Sequence, residues 1–400
     1  MFLNTKKNFP IFKKNPKLVF LDTAASALKP YEVIESINNC YSYEYSNIHR
    51  GIYKLSSELT KKFEEVRIKS AKYINAESQD NIIFTKSATE AINLVVSCFS
   101  EKFLSKGDEV IISYLEHHAN IIPWHIASKK YGFKVIPLEI TKEGNIDLDD
   151  FDKKISSRTK FISLTQMSNV TGSVPNLEKV RDISKKNNIP FLIDGCQYVA
   201  HSPVNIKNIE CDFYVYSGHK LYGPSGVGVL YMKDKWFENF GPYQGGGQMI
   251  DEVEIDKSTY AKGFQKFEAG TPPIVQVIGL GASYDFISKY DLTEVFNYEK
   301  ELYDYALEKI SHFNDIKVIG NSKDKGAILT FVMENIHPND ASMILDQHNV
   351  CIRTGHHCAQ PLLTKLNLTS TARASFGIYN DKQDIDYFID AIKETKLFFK

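Results

Sequence analysis

The sequence has almost no net charge, no long apolar run, no paired cysteines and no dinucleotide fingerprint, and each absence removes a class of function. Forty-eight Lys and Arg against forty-nine Asp and Glu leave a formal charge of -1 at pH 7. No overall field therefore recruits nucleic acid or an anionic membrane, and a small-molecule substrate is the default that remains. No uninterrupted apolar stretch approaches the roughly 18 residues that a membrane span needs. The start, Met1-Phe2-Leu3-Asn4-Thr5-Lys6-Lys7, has lysines with no apolar segment behind them. The expectation is a cytoplasmic protein, or the mature form of an organellar one. Cys40, Cys98, Cys196, Cys211, Cys351 and Cys358 form no C-x-x-C pair, which argues against a zinc site and against a secreted disulfide framework. The compartment is expected to be reducing. No G-x-G-x-x-G opens a strand-turn-helix unit, so the usual signature of a dinucleotide enzyme is missing.

At 400 residues the chain fits one large domain plus a smaller one, since single domains mostly run to about 100–250 residues. The pattern divides it into an N-terminal arm over 1–20 that joins the small domain, a large domain over 21–285 and a small C-terminal domain over 286–400. In the large part, apolar strands alternate with helix-length segments. They are Ile82-Ile83-Phe84-Thr85, Val110-Ile111-Ile112-Ser113, Val135-Ile136, Phe161-Ile162-Ser163-Leu164, Phe191-Leu192-Ile193-Asp194 and Phe213-Tyr214-Val215-Tyr216. That alternation predicts an α/β fold whose parallel sheet is covered on both faces and takes its ligands at the strands' carboxyl ends. His117, Asn169, Asp194, Gln197 and Lys220 all fall there. Beyond it, a helix from about Val277 breaks near Lys289 to Leu292 and resumes with apolar residues at Val295, Tyr298, Leu302, Ala306 and Ile310. Strands at 317–319, 328–331 and 373–376 make the end of the chain a small α+β lobe.

Ser217-Gly218-His219-Lys220 follows the last strand of the large part. A lysine at the mouth of an apolar strand, beside an imidazole and a hydroxyl, is placed to form a Schiff base with an aldehyde. Pyridoxal 5'-phosphate (PLP) is the obvious aldehyde, although the tetrapeptide alone equally fits a surface lysine. Asp194, ending its own strand, can keep a pyridinium nitrogen protonated so that the ring stays an electron sink. Lys86-Ser87-Ala88-Thr89 turns a strand into a helix whose free N–H groups and dipole attract an anion, with two hydroxyls as extra donors. Ordinary N-capping is the commoner use of such residues. His117 is placed to stack on the ring, Gln197 to reach its phenolic oxygen, and Ser217 and His219 to join Thr89 at the phosphate. A single buried Asp or His is more often structural, but five groups converging on one sheet edge are hard to explain that way.

With these residues in place, the chain resembles a PLP-dependent cysteine desulfurase of aminotransferase class V, in the SufS-like (group II) branch. The resemblance runs from Leu21-Asp22-Thr23-Ala24-Ala25 to Arg373-Ala374-Ser375. It is carried most specifically by Glu116-His117-His118-Ala119-Asn120, Asp194-Gly195-Cys196-Gln197, Ser217 to Pro224, Phe267-Glu268-Ala269-Gly270-Thr271-Pro272 and Arg353 to Ala359. It implies PLP-dependent transferase fold type I, with a large, mostly parallel seven-stranded sheet and a small domain carrying a catalytic cysteine loop. It implies that Lys220 carries PLP, that Asp194 pairs the ring nitrogen, that His117 stacks on the ring and that Gln197 contacts the phenolic oxygen. Thr89, Ser217 and His219 bind the phosphate, and Arg373 with Asn169 holds the substrate carboxylate, with Arg353 also at the substrate. A homodimer is implied, in which Thr271 reaches the neighbour's phosphate and the His49-Arg50 loop lies near the neighbour's site.

Cys358 sets this family apart from plain transaminases. A thiol between His357 and Ala359 on a glycine-containing loop can be partly exposed and kept near its thiolate form by positive charge, whereas the other five cysteines read as inert hydrophobes. The expected reaction converts L-cysteine to L-alanine and leaves the sulfur on Cys358 as a persulfide. The compact stretch from Arg353 to Pro361 resembles the short loop of the SufS-like branch. Such a loop carries sulfur only a short way, so a docking SufE-like or SufU-like protein is expected to receive it for iron–sulfur cluster assembly. The rival readings are a selenocysteine lyase, which can expel selenium without an attacking thiol, an aminotransferase, and a non-catalytic scaffold. Relatives often carry a second hydroxyl where Ala88 stands, and Ala359 is followed by Gln360-Pro361; neither departure removes a group the chemistry needs.

Overall fold

Runs of consecutive apolar residues make strands that must be buried on both faces, and the sheet they form is sandwiched accordingly. The computed structural model describes Phe2 and residues 4–399. Its main sheet has seven strands: β1 (Ile82–Thr85), β2 (Glu109–Ser113), β3 (Lys134–Leu138), β4 (Thr159–Thr165), β5 (Phe191–Asp194), β6 (Phe213–Ser217) and β7 (Gly228–Met232). Their spatial order is β1-β7-β6-β5-β4-β2-β3. Neighbours from β6 to β3 run parallel, while β7 is antiparallel to both β1 and β6. Every residue of β1, β2, β5, β6 and β7 is buried, and each Ile, Val or Phe so enclosed contributes roughly 1.5–3 kcal/mol. No helix among the described residues is long and apolar enough to cross a membrane.

Reversal of β7 has a consequence for the site, because its first residue lies at the carboxyl edge of the other strands. A side chain on Gly228 would come within 2.3 Å of the Ser87 carbonyl carbon, so only glycine lets β7 close against the start of the helix Ala88–Phe103. That helix begins where Ser87 accepts the Glu90 N–H, an N-cap at the mouth of β1. A second glycine is fixed by contact after β5. A side chain on Gly195 would meet the Tyr214 hydroxyl at 2.0 Å, and that hydroxyl donates to Gln166 Oε1.

A second sheet of four strands has the order β8 (Ile316–Ile319), β9 (Ile328–Met333), β11 (Thr371–Ser375), β10 (Arg353–Gly355), all antiparallel. With the helices Leu292–Ile310, Pro338–Gln347 and Lys382–Phe398 it forms a separate apolar cluster around Leu302, Leu329, Phe331, Phe388 and Ile392. The N-terminal segment spans the seam between the two clusters. Val19–Phe20 pairs in parallel with Val350–Cys351, and Asp22 bridges Ser375. Phe9 packs edge-on against Tyr379 and Phe286, 4.9 and 5.6 Å between ring centres, and Lys6 pairs with Asp384. The helix Ile274–Ile287 starts directly after Pro273 and is buried on nearly every side, which is why its sequence shows no polar face.

Candidate active site

Five strand ends deliver the polar side chains to one cleft. Asp194 closes β5 and is 5 % exposed, its Oδ1 accepting the Cys196 N–H at 3.0 Å. Ser217 closes β6, and its hydroxyl accepts the Ala88 N–H at 2.9 Å, tying the β6 end to the helix start. One tight turn later, Gly218–Lys220 places Lys220 half-buried. His117 follows β2 on the Glu116–Asn120 loop, and Asn169 follows β4. Together with Ala24, Ala25, Ser87, Thr89, Gln197, His219 and Arg353, these residues line a cleft of about 160 Å³.

The imidazoles around this cleft are neutral at pH 7. Burial, and then the charge of Lys220, pushes His117 down to about 4, and burial with Lys220 and Lys29 does the same to His219. Burial followed by Arg373 and Arg353 takes His357 to about 3. Glu116 moves the other way: full burial raises it to about 8, so it is held as the neutral acid between Ser113 Oγ and Asn120 Nδ2, the latter at 2.7 Å.

The small sheet presents the other wall. Arg353 on β10 lines the cleft, and its Nη2 stands 3.5 Å from Cys358 Sγ. Cys358 and Cys351 are half-buried, whereas Cys40, Cys98, Cys196 and Cys211 are buried. Burial lifts the Cys98 thiol to about 12 and raises Cys196 and Cys211 as well, which leaves them poor nucleophiles. Asn169 Nδ2 donates to the His357 carbonyl at 2.6 Å, joining the two walls.

Several of the expected residues also have partners within the chain or lie outside this cleft. Arg373 is fully buried behind the cleft wall, donating to the Asn169 carbonyl at 2.9 Å and to Asp22 Oδ1 at 3.0 Å. Its guanidinium already has a carboxylate partner in Asp22, which the sequence places in the Leu21–Ala25 stretch without a role. The buried Nε of Arg373, Oδ1 of Asn169 and Nδ1 of His357 have no partner among the described residues, and buried polar atoms of this kind point to a polar ligand. Gln197 lines the cleft, but its amide donates to the Ala24 carbonyl at 2.8 Å. Thr271 is exposed and lines a separate hollow with Lys86, Glu90 and Tyr243. His49 and Arg50 face another hollow with Glu64, Gln248 and Glu268. Lys29 was also missed. Burial lowers it to about 7, and it donates to the carbonyls of Ala27 and His219 at 2.6 and 2.8 Å, bracing the turn that carries Lys220.

Residues 19–388 match the aminotransferase class-V family. The chain belongs to that family. It is 40% identical over 397 residues to the "Probable cysteine desulfurase" of Halalkalibacterium halodurans, covering 98% of each chain. It is likewise 40% identical over 402 residues to the "Cysteine desulfurase" of Wigglesworthia glossinidia brevipalpis, covering 99% of this chain and 97% of the relative. Among solved structures, the cysteine desulfurase CsdA of Escherichia coli superposes with a TM-score of 0.93 at 35% identity, covering 100% of this chain and 99% of that one. The apo cysteine desulfurase of Thermococcus onnurineus NA1 gives 0.93 at 33% identity, covering 98% and 97%.

The fold is therefore that of the PLP-dependent fold type I enzymes, and the cofactor of this family is PLP. The donor set suits it. An amine, a carboxylate, two hydroxyls at a helix start and a neutral imidazole converge on one cleft, and orphaned polar atoms lie beside it.

Proposed function

We propose that this chain converts L-cysteine to L-alanine as a cysteine desulfurase, with Lys220 holding PLP and Cys358 taking the sulfur. The observation that carries the reading is Arg353. One guanidinium lines the cleft shared by Lys220 and Asp194 and also contacts Cys358 Sγ at 3.5 Å, so the thiol is tied to the cofactor cleft. Full-length relatives at about 40% identity named as cysteine desulfurases support it.

In this reading Lys220 would anchor the cofactor, Asp194 would pair its ring nitrogen, His117 would stack on its ring and Gln197 would reach its phenolic oxygen, all four lining the one cleft. Ser217, His219, Thr89 and the start of the helix Ala88–Phe103 receive the phosphate. Once bound, the cofactor supplies an electron sink for bonds broken around the substrate α-carbon. Arg353 and the unpartnered Nε of Arg373, with Asn169, orient the substrate carboxylate. Lys220 Nζ, as a free amine, would take the α-proton. Cys358, as thiolate, attacks the substrate sulfur. An S–S bond forms as the carbon–sulfur bond breaks, the electron pair stays with the β-carbon and takes up the proton given up by the substrate thiol, Lys220 Nζ returns its proton to the α-carbon, and alanine leaves. Cys358 is left carrying the persulfide.

The persulfide passes to a docking protein thiol of the SufE-like or SufU-like kind for iron–sulfur cluster assembly, and the enzyme acts as a cytoplasmic homodimer. Its exposed Tyr41, Tyr43, Tyr45, Ile52 and Tyr53 support a covered face. In a dimer Thr271 and the His49-Arg50 loop serve the neighbour's site. The test is alanine and sulfide release from L-cysteine in reductant, with and without an added SufE-like or SufU-like protein. Stimulation of both products by that protein supports the reading, and an unchanged rate removes the protein acceptor.

A further inference from the structure

Cys358 sits in a conformation that its own loop does not favour. His357 and Cys358 have φ of 52° and 56°, in the left-handed region that non-glycine residues seldom occupy. Two such residues in succession persist only where outside contacts hold them. His357 is held by Asn169, whose Nδ2 donates to its carbonyl, and by Thr371, 2.9 Å from its Nε2; the contacts on Cys358 and the residues after it come from the Glu116–Asn120 loop. The His118 N–H donates to the Cys358 carbonyl at 2.7 Å, and the Gln360 N–H donates to His118 Nε2 at 3.0 Å. One residue thus grips the cysteine loop at two points directly after the carbon that bears the thiol.

We propose that His118 is a positioning residue that clamps Cys358 at the cleft. The grip is backed by the sheet: Glu116 and Asn120 flank it and bond one another, Ser113 at the end of β2 donates to Glu116, and Ser163 in β4 donates to Asn120 Oδ1 at 2.6 Å. His117, which faces the cofactor cleft, is the next residue along. The clamp therefore fixes the thiol relative to the ring-stacking residue on one rigid loop. Small displacements of a reacting atom are costly when two groups must meet in line. The imidazole must be neutral and carry its proton on Nδ1, because only an unprotonated Nε2 accepts the Gln360 N–H. The proposal rests on the reading that Cys358 receives the sulfur.

The test compares the PLP-loaded wild type with His118→Ala and His118→Gln. In His118→Ala, amide hydrogen exchange of the segment 356–362 rises and alkylation of Cys358 by iodoacetamide accelerates. Its kcat falls about tenfold, the effect of losing one hydrogen bond of ordinary strength, while KM for cysteine and the visible cofactor absorbance stay as in the wild type. His118→Gln restores the exchange protection and most of kcat, because its side-chain oxygen accepts near the position of Nε2. Wild-type exchange and alkylation in His118→Ala would overturn the proposal, as would a His118→Gln variant that matches His118→Ala in both. Exchange and alkylation do not depend on turnover. An error in the role of Cys358 would instead show as alanine formation by Cys358→Ala, with the exchange result unaffected.

Discussion

The Phe267–Pro272 stretch leads to Thr271, yet its most constrained side chain is Glu268. Its two oxygens take both terminal nitrogens of Arg67, at 2.7 and 3.0 Å, and Oε1 also accepts the Phe84 N–H at 2.7 Å. Arg67 and Glu268 side chains are 1% and 9% exposed, and the guanidinium lies 4.1 Å from the ring centre of Phe264. Burial opposes the charge of Arg67, and Glu268 and Glu64 together more than offset it, leaving Arg67 above its ordinary value. Glu268→Ala strands a buried cation, which costs about 3–5 kcal/mol. Glu64, bonded to Arg67 Nε at 2.8 Å, remains as a half-exposed partner and favours the lower end, about 3 kcal/mol. For 400 residues the unfolding entropy is about 0.8 kcal/mol/K, so the thermal midpoint drops by about 4 °C. Differential scanning calorimetry of the PLP-loaded protein measures it. Adding Arg67→Met to Glu268→Ala should recover about half of the loss, because no uncompensated charge remains. A drop below about 1 °C in the single variant, or a double variant less stable than the single, would refute the argument.

Further outcomes are expected. Lys220→Ala abolishes the visible absorbance of lysine-bound PLP while far-ultraviolet circular dichroism stays as in the wild type; an unchanged spectrum would remove Lys220 as the anchor. His117 and His219 are held down to about 4 and His357 to about 3, whereas in the unfolded chain each titrates near 6.5. The folded protein binds fewer protons across that window, so stability is lost as pH falls from about 6.5 toward 4; a thermal midpoint equal at pH 5 and pH 7 would contradict this. Glu116 has the opposite sign: its folded value of about 8 means that its stabilising contribution is complete in acid, below the unfolded carboxylate pKa, and is lost as pH rises to about 8. Glu116→Gln should stay within about 1 kcal/mol of wild type at pH 6, and a larger loss in urea titration would show that the carboxyl is ionised. Asp22→Asn leaves buried Arg373 without its carboxylate. With Asp22 25% exposed, the cost is about 1–2 kcal/mol, and no change in the thermal midpoint would deny the pair a structural role.

What the sequence shows directly is what repeats locally. Phe213-Tyr214-Val215-Tyr216 reads as a doubly buried strand because every residue is apolar, and the Ser217–Lys220 turn after it follows by adjacency. The break before Leu292 was legible from Lys289-Tyr290-Asp291, although the helix ahead of it begins at Ile274, against Pro273, rather than near Val277. The pairing of Ile250–Val253 with Ser258–Tyr260 left no signal, since these strands are mostly exposed and need no apolar alternation. Polar contacts between distant segments were equally silent. Asp22 meets Arg373, Lys29 meets the His219 carbonyl, and His118 meets both Cys358 and Gln360. Each joins a backbone group or a charge to a residue that nothing nearby in the sequence specifies, so only the folded chain brings them together.

The central claim is that Cys358 takes sulfur from L-cysteine bound in the cleft with Lys220. Alanine formation from L-cysteine by PLP-loaded wild type and Cys358→Ala, in reductant, tests it most directly. The account predicts stoichiometric alanine and sulfide from the wild type and neither from Cys358→Ala, with the variant retaining its visible absorbance. Alanine from Cys358→Ala at the wild-type rate would contradict it, and equal retention of activity on L-cysteine and L-selenocysteine would show that no attacking thiol is required.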